Sequence, residues 1–389
     1  VLFIAFFCMA NAHSQQMSDA ETKALALANE GKLQEAATAF EAIYNADIKN
    51  IKALNTLIQL YGDLGNSQKA YQYCLKGYSK NHDDKDWNYQ KAELETKIGK
   101  PEEAITTADN FLAKHPDVAS LYFIKGDALD AQSKIQLAIG AYSKAIKINP
   151  QYVNALFRRA KDFAGISRYQ NAIDDFTEVL KVAPSEDEVY NRRGLAFYSL
   201  DKMDKAAADF SKAIELNPKN NLAFANRGWV YFNNESYSNA IADFERSNAI
   251  KPYDDALFGL ASVYNKQKKY TSSIAFAQKA IAMNDKMAPY YTIYASALAA
   301  SDRSSEALAA AEKILILDAD NADGYILKAT ALSNLAKYDE GIKTITTGIQ
   351  KYPENYLMYG LRSYIYKQQG KTSLADADTQ KAKELSTKN

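Results

Sequence analysis

The stretch FSKAIELNPKNNLAFANRGWVYF, residues 210–232, occurs three times in recognisably similar form. It is preceded by FTEVLKVAPSEDEVYNRRGLAFY from Phe176 and by YSKAIKINPQYVNALFRRAKDFA from Tyr142. The three versions begin 34 residues apart. Self-similarity at a fixed period of this length is the sequence signature of a repeat architecture, in which each unit buries its apolar face against its neighbours.

The repeat frame can be fixed on four prolines that are also 34 residues apart, Pro150, Pro184, Pro218 and Pro252. We number positions within a unit as places and assign these prolines to place 32. Ten units of 34 residues and one of 33 then fill residues 17–389, which leaves no room for another domain. The units start at Met17, Ile51, Lys85, Ala119, Val153, Asp187, Asn221, Asp254, Ala288, Ala322 and Tyr356.

Each unit has the composition of two antiparallel helices joined by a tight turn. Place 8 is usually small, as in Gly194, and place 24 is often large, as in Phe210, so that two helices can approach closely beside a bulky side chain. Place 15 is glycine in four units, including Gly31, which suits the left-handed backbone just past a helix end. The proline at place 32 stops the second helix. The pattern therefore predicts an all-α protein.

The pattern resembles the tetratricopeptide repeat (TPR) family over the whole of residues 17–389. In the unit from Asp187 the matching residues are Tyr190, Gly194, Phe197, Ala206, Phe210, Ala213 and Pro218. The resemblance implies a right-handed superhelical solenoid whose concave groove is lined mainly by the first helix of each hairpin.

The last unit differs from the others at two outward places. Places 21 and 28 are apolar in most units but are Asp376 and Lys383 in the last one. A terminal repeat needs a polar outer face because nothing stacks on it. We therefore expect the solenoid to end with this unit.

Residues 1–16, VLFIAFFCMANAHSQQ, differ in composition from the rest of the chain. An apolar run from Val1 to Ala10 leads into Ala10 and Ala12 at an A-x-A spacing, which predicts a secretory signal peptide that lacks its first residues. Cleavage after Ala12 or Ser14 fits this pattern. Export to the periplasm or outside the cell, in a bacterial envelope, would follow. A buried first helix in a cytosolic protein is the alternative. Cys74 would then be the one cysteine left after export, and we expect it to be a small buried filler.

Composition and motifs indicate no catalytic or nucleic-acid-binding chemistry. The 47 basic and 47 acidic side chains cancel, so no basic excess attracts nucleic acid, and no apolar run is long enough for a membrane span. The three histidines stand in no metal-binding or nucleophile motif. We expect no enzyme activity, no cofactor and no metal site.

Two places vary together. Four units combine arginine at place 7 with aspartate at place 23, and the other seven units have neither residue. This correlation predicts an ion pair between the two helices of each such hairpin, although recent duplication of the units would also produce it. The predicted pairs are Arg159–Asp175, Arg193–Asp209, Arg227–Asp243 and Arg362–Asp378.

The resemblance implies that places 2, 5, 9, 12 and 13 face the groove. Aromatic side chains mixed with asparagine and arginine are typical of peptide-binding surfaces, and the fifth to seventh units have this mixture. Packing of one hairpin on the next is the alternative role for the aromatic residues. The candidates are Phe157, Lys161, Asn191, Tyr198, Trp229, Phe232 and Asn233, with Arg158, Arg192 and Asn226 at place 6.

The sequence therefore predicts a non-enzymatic scaffold that binds an extended peptide or a partner protein. No unit has the place-5 lysine that the family uses to clamp a chaperone's C-terminal carboxylate. The alternative is a regulatory or substrate-presenting subunit of an envelope enzyme complex, and a cytosolic scaffold is the third hypothesis. The sequence gives no indication of the partner's identity or of the oligomeric state.

Overall fold

The computed structural model describes residues 18–387, so the leader at residues 1–16 lies outside the described part. Between residues 18 and 387 the regular secondary structure is α-helix throughout, which confirms the all-α prediction. The helices are α1 (Asp19–Asn29), α2 (Leu33–Ala46), α3 (Ile51–Asp63), α4 (Ser67–Tyr78), α5 (Lys85–Lys97), α6 (Pro101–Leu112), α7 (Ala119–Ala131), α8 (Ile135–Ile148), α9 (Val153–Gly165), α10 (Tyr169–Val182), α11 (Asp187–Ser199), α12 (Met203–Leu216), α13 (Asn221–Asn233), α14 (Tyr237–Ile250), α15 (Asp254–Lys266), α16 (Tyr270–Met283), α17 (Ala288–Ala299), α18 (Ser304–Leu317), α19 (Ala322–Asn334), α20 (Tyr338–Lys351), α21 (Tyr356–Gln368) and α22 (Thr372–Ser386).

The helices form successive hairpins, which makes the protein an all-α helical-repeat solenoid. An odd-numbered helix is the first helix of each hairpin and an even-numbered helix is the second. From α3 to α21, every first helix begins at the residue where the proline spacing starts a unit. The first described helix, α1, begins at Asp19.

The turn inside every hairpin uses a left-handed residue at place 15. Gly31 has φ +80°, and the next amide, that of Lys32, donates to the carbonyl of Leu27 at 2.9 Å. This hydrogen bond closes the end of the first helix in the manner of a Schellman motif. Glycine occupies place 15 in four units, and the other seven adopt φ between 56° and 59° with Ser133, Ser167, Asp201, Glu235, Lys268, Asp302 and Ala336.

Close approach of the two helices depends on a small residue facing a ring. The Phe244 ring is fully buried, and a Cβ added to Gly228 would lie 2.8 Å from it. Gly259, on the next hairpin, has the same ring 2.4 Å from the position of a Cβ. One phenylalanine thus fills the space between α13, α14 and α15, and this close packing requires that the facing places be small.

The chain divides into two compact units, which we call the N-terminal body (residues 18–184, α1–α10) and the C-terminal body (residues 185–387, α11–α22). Cys74 in the N-terminal body is fully buried, and burial raises the pKa of its thiol to about 12. It therefore acts as the apolar filler that the sequence predicted.

No helix among residues 18–387 has both the length and the apolar character that crossing a membrane requires.

The first helices of the C-terminal body pack side by side. Contacts run from α11 to α13, and on through α15, α17 and α19 to α21. Successive second helices of this body do not pack together to a comparable extent. The layer of hairpins therefore curves toward its first helices. We call the surface formed by α11, α13, α15, α17, α19 and α21 the inner face.

Candidate partner-binding site

The arginine at place 7 is held by two hydrogen bonds to the aspartate at place 23 of the same hairpin. Arg227 donates from Nε and Nη2 to the two carboxylate oxygens of Asp243, at 2.7 and 2.9 Å. Asp243 is only 6% exposed, so the carboxylate of this pair is buried. The hairpins with Arg159–Asp175, Arg193–Asp209 and Arg362–Asp378 have the same geometry, with distances from 2.7 to 2.9 Å.

The same arginine also reaches the preceding hairpin. Arg227 Nη1 donates to Ser211 Oγ on α12 at 3.0 Å, so one guanidinium joins three helices. Its planar group lies over the rings of Phe224 and Tyr231, 5.8 and 5.6 Å from their centroids. Matching contacts from Nη1 to place 25 of the preceding unit join Arg159 to Ser143 and Arg362 to Thr346. These arginines hold the hairpins together and leave the inner face to other side chains.

The predicted groove residues of the N-terminal body lie close to acidic side chains. Arg158 Nε is 3.4 Å from Asp127 Oδ1, and that oxygen also accepts a 2.6 Å hydrogen bond from Tyr142. Phe157 packs edge-on against Phe176 with 5.9 Å between ring centroids. The structure therefore gives Arg158 an acidic partner within the protein itself.

Lys161 lies near a buried carboxyl group, that of Asp162. Asp162 is 9% exposed, and its Oδ2 has no hydrogen-bond partner among the described residues. Burial, and then the negative charge of Asp130, raise the pKa of Asp162 to about 7, although the positive charge of Lys161 opposes the shift. This buried carboxyl could not be predicted from the sequence, because nothing in the repeat pattern marks place 10 as an acid.

In the C-terminal body, the predicted asparagines connect neighbouring first helices. Asn226 Nδ2 donates to Asn191 Oδ1 at 2.9 Å, and Asn233 Nδ2 donates to the Tyr198 hydroxyl at 2.8 Å. Both bonds join α11 to α13. Asn191 is 7% exposed, so it holds the Asn226 side chain in place and has little surface of its own for a partner to contact. Asn233 is exposed and Tyr198 is partly exposed.

Arg192 is held by an acid of its own helix. Its guanidinium lies 2.7 Å from Glu188 Oε1, one turn earlier on α11. Glu188 occupies place 2 of its unit, a groove place. The acid at this place is therefore already paired with a cation in the sixth unit.

Trp229 is the centre of an aromatic group on the inner face. Its ring centroid lies 5.4 Å from that of Phe232 and 5.4 Å from that of Phe258. It also contacts the buried Phe244 at 5.2 Å. The indole Nε1 donates a 2.7 Å hydrogen bond to Asp255 Oδ2 on α15. Trp229, Phe232, Phe258 and Asp255 are all partly exposed, so Trp229 packs against its neighbours and also keeps part of its surface open to solvent.

Comparison with known families supports the repeat assignment. Two family models of the tetratricopeptide repeat match the sequence. One matches residues 188–220, and the other matches residues 89–153 and 225–291. These segments of the chain resemble tetratricopeptide repeats. No protein of curated function matches its sequence.

Several solved structures are similar to this chain at low identity. A chain of the APC/C hetero-tetramer Cut9–Hcn1 is 12% identical, with 96% of this chain and 95% of that chain covered and a TM-score of 0.48. Yeast Tom70 is 13% identical, with 94% and 91% covered and a TM-score of 0.45. A tetratricopeptide repeat protein from Parabacteroides merdae ATCC 43184 is 16% identical, with 64% and 98% covered and a TM-score of 0.47.

No group of three or more histidine, cysteine, aspartate or glutamate side chains within residues 18–387 could hold a metal ion. Two residues of the aromatic group were missed from sequence, Asp255 at place 2 and Phe258 at place 5. Both occupy groove places of the eighth unit, so extending the place rule by one unit would have found them.

Proposed function

We propose that this protein is a non-enzymatic scaffold that binds another protein through the inner face of its C-terminal body. The observation that carries the proposal is the set of partly exposed aromatic and amide side chains held in place on α11, α13 and α15. Trp229, Asn226 and Asn233 each make a hydrogen bond to a neighbouring first helix, at 2.7 to 2.9 Å.

Fixed side chains are suited to binding because they lose little conformational entropy when a partner docks. Rigid aromatic rings supply contact area, and amides supply hydrogen bonds that can adapt to a peptide backbone. An extended segment of the partner, running across several first helices, would contact these groups in succession.

The test is photo-crosslinking in the native host. A benzophenone amino acid at Asn233, which is exposed on α13, should capture a discrete partner. The same group at Glu245, exposed on the second helix of the same hairpin, should not. Adding Trp229→Ala should reduce the capture at Asn233. Equal capture from both positions, or capture undiminished by Trp229→Ala, would contradict the proposal.

We further propose that the protein is exported, on the strength of the apolar run and A-x-A spacing in residues 1–16. N-terminal sequencing of the mature protein tests this. A mature chain that begins between Asn11 and Met17 supports export, whereas an intact leader would favour the cytosolic scaffold.

A regulatory or substrate-presenting subunit of an envelope enzyme complex is the second candidate function. It shares the inner face and differs in the nature of the partner. An enzyme captured by the crosslink at Asn233, and changed in activity by Trp229→Ala, would favour it over a passive scaffold.

A further inference from the structure

The Asp255 carboxylate on the inner face has no cationic partner. It accepts the indole hydrogen bond of Trp229 at 2.7 Å, and no basic side chain of residues 18–387 forms an ion pair with it. Burial raises the pKa of the Asp255 carboxyl by more than the Trp229 hydrogen bond lowers it, and the charge of Asp254 adds to the rise. The carboxylate lies in the first turn of α15, where the helix dipole favours a negative charge, but no basic side chain neutralises it.

Asp254, the preceding residue, does not supply that compensation. Its carboxylate accepts hydrogen bonds from the Tyr290 hydroxyl at 3.1 Å and from the Asn284 amide at 3.3 Å, and both donors are neutral. The start of α15 thus carries two negative charges in a chain whose net charge is zero.

Aromatic rings surround the same carboxylate. Phe258 lies one turn after Asp255 on α15, and its ring is tilted by 48° to that of Trp229, with 5.4 Å between centroids. The face of an aromatic ring carries partial negative charge and attracts an ammonium or guanidinium group. The carboxylate at the N–H edge of the Trp229 ring, with the face of that ring and of Phe258 close by, forms a site that is complementary to a cation.

The sixth unit shows how an acid at the same place is neutralised. Glu188, at place 2 of that unit, lies 2.7 Å from Arg192 of the same helix. In the eighth unit the residue four positions after Asp255 is Gly259, so α15 has no basic side chain at the position that neutralises Glu188 in the sixth unit.

We propose that the site formed by Trp229, Asp255 and Phe258 binds a lysine or arginine side chain of the partner protein. The proposal rests on the proposed function and specifies the chemistry of the bound segment: at least one basic residue seated between α13 and α15. Cation–π contact with the rings and a charged hydrogen bond to Asp255 together provide the recognition.

The experiment uses the whole protein and small probes of defined charge. The Trp229 indole N–H resonance is followed by NMR while N-acetyl-arginine methylamide or N-acetyl-lysine methylamide is added. N-acetyl-citrulline methylamide, which has almost the shape of the arginine probe without its charge, is the matched ligand control. Trp87, the second tryptophan, is 8% exposed and provides an internal reference.

We expect the cationic probes to shift the Trp229 resonance saturably and the citrulline probe to leave it in place. Asp255→Asn should weaken the cationic probes by about tenfold or more, because a charged hydrogen bond and the Coulomb attraction are both lost. Glu188→Gln, the same change at the same place of the sixth unit, should leave their binding unchanged. Melting followed by circular dichroism verifies that each variant is folded.

Phe258→Leu provides a second variant should Asp255→Asn not fold. It keeps the carboxylate and removes a ring, so it should weaken the cationic probes while the citrulline probe still does nothing. Equal shifts with charged and neutral probes, or no shift with any of them, would overturn the proposal. If the crosslink at Asn233 still captures a partner in that case, the scaffold function stands and only the basic recognition fails.

Discussion

Individual residues in this protein carry backbone conformations that their type does not favour. Place 15 is left-handed in every hairpin, yet only four of the eleven residues there are glycine. A non-glycine residue in this conformation costs roughly 1–2 kcal/mol, because its Cβ approaches the following carbonyl. The closing hydrogen bonds of the turn offset that cost, which is why serine, aspartate and even alanine are accepted there.

Gly31→Ala isolates this backbone effect. A Cβ at Gly31 would meet nothing within 4 Å, so only its φ of +80° opposes the change, and we expect a loss of about 1 kcal/mol in the free energy of unfolding. Gly62→Ala is the matched control, because Gly62 lies in helix α3 and also has open space around its Cβ. That change should stabilise the protein by about 0.5–1 kcal/mol. Urea unfolding measures both, and effects of the same sign would contradict the explanation.

Asp162 should make stability depend on pH near neutrality. Its pKa is raised to about 7, so the folded state binds a proton that the unfolded state releases near pH 4. The stabilisation from this proton is complete below the unfolded pKa and is lost as the pH rises to about 7. Asp162→Asn should therefore raise the free energy of unfolding at pH 8 relative to the wild type, by up to about 4 kcal/mol.

The measurement is denaturant unfolding of the wild type and of Asp162→Asn at pH 5 and pH 8. Other groups titrate alike in both proteins, so the difference between the proteins reports Asp162. A difference that is the same at both pH values would show that Asp162 ionises normally.

Pairs of helices are joined by the buried arginine–aspartate contacts. Removing one partner leaves the other charge buried and uncompensated, whereas replacing both by apolar residues of similar size removes the charge altogether. Arg227→Ala should thus lower the free energy of unfolding by about 3–5 kcal/mol. The double change Arg227→Met, Asp243→Leu should recover most of that loss.

The control for this pair is Lys212→Ala, which breaks an exposed contact with Glu215 on α12 and should leave the melting temperature unchanged. The measurement is the melting temperature of the wild type, of Arg227→Ala, of the double variant and of Lys212→Ala. A double variant as unstable as Arg227→Ala would show that the contacts of Arg227 with Ser211 and the rings outweigh its pairing with Asp243.

Within each of the two bodies, every hairpin packs mainly on its immediate neighbours, so damage should remain local. Repeat proteins behave as a row of units coupled through nearest-neighbour interfaces. Gly228→Ala pushes a Cβ against the buried Phe244 ring and should cost about 1–3 kcal/mol. Amide exchange followed by mass spectrometry should accelerate in α13–α16 and change little in α19–α22.

Gly360→Ala is the control for that experiment. Gly360 lies on α21 of the same body and has open space around its Cβ, so this change should accelerate exchange nowhere. Acceleration spread evenly over the C-terminal body in Gly228→Ala would show that its hairpins unfold as one unit.

Local pattern was enough to predict the helical hairpins. A 34-residue period, a small residue facing a ring and a proline after the second helix act over short distances along the chain, and the all-α solenoid they predict is confirmed. Pairing of place 7 with place 23 was also visible, because it joins residues only 16 positions apart in one hairpin.

The side-chain contacts between hairpins could not be predicted, because they depend on how one hairpin stacks on the next. The reach of Arg227 to Ser211, the bond from Trp229 to Asp255 and the burial of Asp162 all depend on which side chains meet between units. These contacts depend on the angle and the distance between neighbouring hairpins, which the repeat period does not specify. Only the packed structure determines which carboxylates find a partner within the protein.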